Sequence, residues 1–142
     1  MSDPIPLWQH VHGASVHFPV ALVLFAAVLD TGALLFRKDA WRAAAFWALI
    51  AGAVVSIPAL LSGLSGQLGW FGIEKWDAES LLRHRNVAFF GTGACVALAL
   101  WRAIARDQAG TGLRVAWVVL LWVAAGLCGW SGFLGGYVAR GY

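Results

Sequence analysis

Read for polarity alone, the chain divides into four long apolar runs separated by polar punctuation. The first extends from about Val16 to Phe36 and stops at Arg37-Lys38-Asp39. The second runs from about Trp41 to Leu64, the third from about His84 to Ile104, and the fourth from about Leu113 to Tyr137. Each holds about 20 residues or more, enough for a helix to cross a hydrocarbon core roughly 30 Å thick. The expected fold is all-α: an integral membrane, antiparallel four-helix bundle made of one transmembrane domain over residues 1–142.

Lipid gives helices little hydrophobic reason to associate, so small residues should mark their seams. Span two supplies Ala44, Ala48, Gly52 and Ser56; span four supplies Gly126, Gly129, Gly132, Gly135 and Gly136. Pro58 should leave the Val54 carbonyl without its helical partner. The long connection between spans two and three, about Ser65 to Arg83, reads as a lid on the outer surface. Within it Asp77 is a good N-cap, with Glu79 in the first turn, so span three should begin near Ala78. The sequence shows no internal repeat and no low-complexity tract.

Composition supports the membrane assignment. The chain is 61% hydrophobic and 12% charged, about half the charge of a soluble domain. At 142 residues there is room for one domain. The net charge of +3 comes from basic residues at span ends, an orientation signal rather than a nucleic-acid footprint. Arg37, Lys38, Arg42, Arg102, Arg106 and Arg114 flank the 1–2 and 3–4 loops. On the other side Lys75, Arg83, Arg85 and Arg140 are offset by Asp3, Glu74, Asp77 and Glu79. Both loops are therefore expected in the cytoplasm and both termini outside, in a bacterial cytoplasmic (inner) membrane. Trp8, Trp70, Trp76 and Trp130 would mark the outer interface, and Trp41, Trp101 and Trp117 the inner one. The N-terminus lacks Lys and Arg ahead of a run too long for a signal h-region, so the first span should stay as an anchor.

The chemistry on offer is histidine chemistry. His10, His12 and His17 precede the first apolar run, and His84 heads the third. Counted back from Arg37, His17 lies about 20 residues, or roughly 30 Å, up its helix. Counted back from Arg102, His84 lies about 18 residues, or roughly 27 Å, up its own. Two imidazoles at equal height on diagonal helices suit the axial positions of a b-type haem, near the outer face. Ala21 and Ala88, each four residues after its histidine, would give the haem edge room. Arg83 and Arg85 flank His84 and would meet haem propionates, or else pair with Glu79 and Asp77 or with lipid headgroups. A bare copper or zinc site from His12, His17 and His84 is the second chemical reading. Asp30 is the one acid inside a span. Its expected partner is Arg37, Arg102, or a hydroxyl or indole donor; a proton relay would need a second residue, and none is visible. Cys95 and Cys128 each stand alone in apolar segments, fitting neither covalent c-type haem attachment nor a thiolate cluster; they read as small buried hydrophobes.

Several of these residues carry a family resemblance. His12 to Pro19 forms H-x-x-x-x-H-F-P, followed by Asp30 late in span one and Leu61 to Leu64 closing span two. His84-Arg85-Asn86 opens span three, and Gly135-Gly136 stands near the end of span four. In these features the chain resembles the membrane-protein family DUF2231. Relatives tend to continue as Leu-Val-Tyr-x-His-Gly; this chain ends Tyr137-Val-Ala-Arg-Gly-Tyr142 and lacks that histidine. The resemblance implies a four-helix membrane protein. Some relatives are joined to Rieske-type iron–sulfur domains, which implies redox work.

The sequence thus predicts a haem b electron-transfer protein with His17 and His84 as axial ligands. It would exchange electrons with a periplasmic or membrane partner, and reads as a carrier or subunit before an enzyme, since nothing in the sequence resembles an activated nucleophile, a carboxylate pair or a phosphate loop. The rival reading is a cofactor-free structural or assembly subunit of a larger membrane complex.

Overall fold

The computed structural model describes residues 7–67, 78–105 and 110–140. They form four helices: α1 (Leu7–Phe36), α2 (Asp39–Gln67), α3 (Ala78–Ala105) and α4 (Thr111–Ala139). All four are long and apolar enough to cross a membrane. Only Arg37 and Lys38 join α1 to α2. Arg37 adopts φ 53, the left-handed conformation that reverses the chain there. Of the expected lid, about Ser65 to Arg83, the two ends are helix, 65–67 closing α2 and 78–83 opening α3; the remainder, 68–77, with Asp77 as the expected N-cap of span three, lies outside the described residues, and α3 does begin at Ala78.

Each helix packs against two neighbours, α1 and α3 against both α2 and α4, so α1 faces α3 across a diagonal. The core is made of small and medium side chains: Val23, Ala26 and Ala27 from α1, Leu49 and Ala53 from α2, Cys95, Leu98 and Ala99 from α3, and Leu121 and Ala124 from α4. Small residues are what allow close approach in lipid, where packing replaces the hydrophobic drive. The large apolar side chains point outward: Phe18, Phe25, Phe36, Trp47, Phe90 and Ile104 are all exposed. A soluble protein inverts this distribution. Span two packs through Ala48, Gly52 and Ser56, while Ala44 faces out. In α4, only Gly135 meets another side chain closely; Gly126, Gly129, Gly132 and Gly136 look into open space, so most of that glycine run is not a seam within the bundle.

The chain repeats itself, contrary to the sequence reading. Helix α2 covers 39–67 and α4 covers 111–139, one interval apart. The same interval, 72 residues, separates the partners of the Asp30–Arg102 ion pair. It also pairs buried positions: Pro19 with Gly91, Val23 with Cys95, Ala27 with Ala99, Leu49 with Leu121, Ala53 with Ala125. Hairpin α1–α2 is therefore matched by hairpin α3–α4 around an approximate twofold axis parallel to the helices, the arrangement of parallel repeats in a membrane. Apolar residues exchange freely at matched positions, which hides the repeat in the sequence.

At the end of the bundle near the 1–2 turn, the axis passes between Asp30 and Arg102. Asp30, 6% exposed, takes a short charge-assisted hydrogen bond from Arg102. Arg102 also donates to the Arg42 carbonyl at 2.8 Å. Its guanidinium stands 5.7 Å from the Phe46 ring centre and 5.6 Å from that of Trp117. Arg102, one of the expected partners for Asp30, is an ion-pair partner here. Trp117, expected at an interface, is instead buried beneath this pair.

Candidate functional site

At the opposite end the axis passes between His12 and His84, related by the same 72-residue interval. Their ring centroids are 6.3 Å apart, with the planes at 83°. His12 lies 18 positions before Asp30 and His84 the same number before Arg102, about 27 Å along each helix. Equal height follows once both helices are measured from the ion pair.

Each imidazole is held in the same way by the second helix of its own hairpin. His12 Nδ1 donates to the Ala59 carbonyl of α2 at 3.1 Å, and His84 Nδ1 to the Ser131 carbonyl of α4 at 2.9 Å. Both bonds span 47 residues. A carbonyl only accepts, so Nδ1 carries the proton in both rings, and in the neutral imidazole Nε2 then keeps its lone pair. Ser62 adds an acceptor on one side: its hydroxyl donates to the Ala59 carbonyl and its oxygen lies 2.9 Å from His12 Nδ1. One turn beyond each carbonyl stands a glycine. A Cβ on Gly63 would come within 3.0 Å of His12 Cε1, and one on Gly135 within 3.0 Å of His84 Cε1.

A cavity of about 480 Å³ opens here, in the range of cofactor sites. Apart from the histidines, its wall is chiefly small and aliphatic: Val16, Ser56 and Ala59 from the first hairpin, Ala88, Thr92 and Gly132 from the second. Arg85 is half-buried on this wall.

The sequence-predicted residues divide cleanly. His84, Ala88 and Arg85 line the cavity. His17 lines the cavity but is exposed, and it is His12 whose ring pairs with that of His84. The physical reason is helical phase. Five residues rotate a side chain by about 140°, so His12 and His17 cannot share one face. The inward stripe of α1 runs through Pro19, Val23, Ala26 and Asp30, and extended back it meets His12. Ala21, chosen as the neighbour of His17, faces outward with it. Arg83 is exposed and paired with Glu79 on its own helix. His10 is exposed. His12, His17 and His84 do not converge, and among the described residues no three His, Cys, Asp or Glu side chains form a metal-holding group.

Ser62, Ala59, Ser131 and the site role of Gly63 and Gly135 were not read from the sequence. The signal that finds them is the repeat: the spacing from His12 to Ala59 and Gly63 recurs from His84 to Ser131 and Gly135. Cys95 and Cys128 are not apart, as their isolation in sequence implied. Their sulfurs approach to 3.6 Å across α3 and α4, and Cys128 reaches the cavity wall.

No curated protein and no solved structure matches the chain. A family model does, over residues 9–142, nearly the whole of the chain. This protein belongs to DUF2231, a family described as a predicted membrane protein.

Proposed function

We propose that this protein is a small membrane haem b protein that transfers electrons, with the iron held between His12 and His84. The observation that carries the reading is the pair of imidazoles on the axis, each with Nδ1 tied to a helix carbonyl and Nε2 left for a ligand. The ring centroids are 6.3 Å apart and both rings line one cavity, so a group bound there would be within reach of both. A structural zinc takes four protein ligands and a catalytic one usually three. A haem would be held by His12 and His84 alone, because the macrocycle would supply the remaining ligands.

The haem would supply a one-electron couple, and the protein does the remainder. The carbonyls of Ala59 and Ser131 fix the tautomer and raise the basicity of the ligating nitrogens. Small residues on α2 and α4 leave width between the histidine-bearing helices. Arg85 offers a guanidinium on the cavity wall for a propionate. In the orientation favoured by the basic loops, the site lies toward the outer face, within reach of a periplasmic or membrane redox partner.

Absorption spectroscopy of the purified protein tests this. The expected spectrum has a Soret band and α and β bands that sharpen on reduction, lost in His12→Ala and in His84→Ala but retained in His17→Ala. Wild-type protein that folds, is supplied with haem and stays colourless refutes the reading and favours the cofactor-free subunit. Bands that vanish with His17→Ala and survive His12→Ala restore the other pairing.

A further inference from the structure

We propose that Gly63 and Gly135 are matched positioning residues that set where the two imidazoles stand, and so the strength with which both hold a shared centre. The proposal deepens the haem reading and rests on it for its functional consequence.

The argument begins with the repeat. His12, Ala59 and Gly63 in the first hairpin correspond one for one to His84, Ser131 and Gly135 in the second. The site is one half-site used twice. Within each half, the imidazole is fixed by two contacts with the same neighbouring helix, a carbonyl that accepts from Nδ1 and a glycine one turn further on, against which Cε1 rests. Cε1 lies between the two ring nitrogens, so its position governs where Nε2 stands once Nδ1 is anchored.

A methyl group at either glycine would stand 3.0 Å from Cε1, 3.4–3.5 Å from Nδ1 and 3.6 Å from Nε2. Ordinary carbon contacts begin near 3.5 Å. The ring must therefore yield by some tenths of an ångström, and it has two ways to do so. It can lengthen the Nδ1 bond to the carbonyl, or it can pivot about that bond and carry Nε2 off the axis. Either change weakens the second-shell support of a ligating histidine, a loss worth about 10–100-fold in metal affinity. Several other glycines carry no such constraint. Gly93 on α3 and Gly129 on α4 look into open space and lie outside the cavity.

Gly63→Ala and Gly135→Ala, with Gly93→Ala and Gly129→Ala as controls, are compared in the full-length protein. In haem-loaded protein the first two should each weaken haem affinity by about tenfold or more. They should also shift the reduction potential and the low-spin electron paramagnetic resonance signature in the same direction. The controls should match wild type in all three, with all four variants melting alongside one another. Haem bound with unaltered affinity, potential and spin signature in both site variants overturns the proposal.

A second measurement does not depend on haem. Nitrogen-15 spectra of the imidazoles should show the Nδ1–H signal of His12 moved by Gly63→Ala and that of His84 moved by Gly135→Ala, each without the other. If wild type binds no haem, the haem reading fails and this local pattern decides the positioning claim by itself. Unmoved imidazole signals overturn the positioning claim even where haem binds.

Discussion

At one end of the bundle the approximate twofold axis passes between two copies of the same side chain, His12 and His84; at the other it passes between opposites, Asp30 and Arg102. The two ends share helices, interval and symmetry, yet behave differently. Opposites on the axis satisfy each other, and the end closes around them with Phe46, Trp117 and the Arg42 carbonyl. Identical imidazoles, each with its Nδ1 proton already given to a carbonyl, have only lone pairs left to turn toward the axis. Two acceptors on one cavity wall leave room for a group that both can bind. A symmetric pair makes a site, and a complementary pair makes a clasp.

The sharpest way to break this comparison is to remove half of the clasp. Asp30→Ala or Arg102→Ala leaves one buried charge without its counter-ion, which costs on the order of 3–5 kcal/mol. Unfolding in detergent should register that loss in either variant; a change under 1 kcal/mol in both would mean that the ion pair does not hold the end shut. Exchanging the charges is the next test. Asp30→Arg combined with Arg102→Asp places the same two groups on matched positions, and a double-mutant cycle should return a favourable coupling of about 1–3 kcal/mol. Recovery should be incomplete, because the aromatic partners do not repeat: Val118 stands where Phe46 would be, and Ala45 where Trp117 would be. Full additivity of the two single changes would argue against the matching of these positions.

The smallest effect is expected at the site. Ser62→Ala removes one of two acceptors for His12 Nδ1 and leaves the Ala59 carbonyl in place. Stability should fall by about 0.5–1.5 kcal/mol, and protein that binds haem as proposed should keep its bands. Complete loss of haem in this variant would show that the hydroxyl, not the carbonyl, fixes the ring.

The four helices were legible because membrane spans announce themselves through length and continuous apolar composition. His84 was legible too, as an imidazole heading a span with arginines beside it. The choice between His12 and His17 was not, because depth was measured from Arg37 in one helix and from Arg102 in the other. Those residues are not equivalent: Arg37 lies seven positions beyond Asp30, while Arg102 is the counterpart of Asp30 itself. Helix α1 also begins at Leu7, well before the apolar run, which brings His12 inside a helix rather than above it. Gly135 looked like a packing glycine, and Gly63 had no reading as a site residue, because nothing in a glycine's identity says what its missing Cβ makes room for.

The clasp has a consequence for the order in which the protein is made. Synthesis delivers Asp30 to the bilayer 72 residues ahead of Arg102. An aspartate at the centre of a lone span opposes insertion by about 2.5–3.5 kcal/mol, and Asp30, nearer the end of α1, carries a part of that cost. The first hairpin therefore reaches the membrane carrying a defect that only the second can repair. Each nascent chain is biased to wait for its own second half, and the two histidines meet only when that half has arrived.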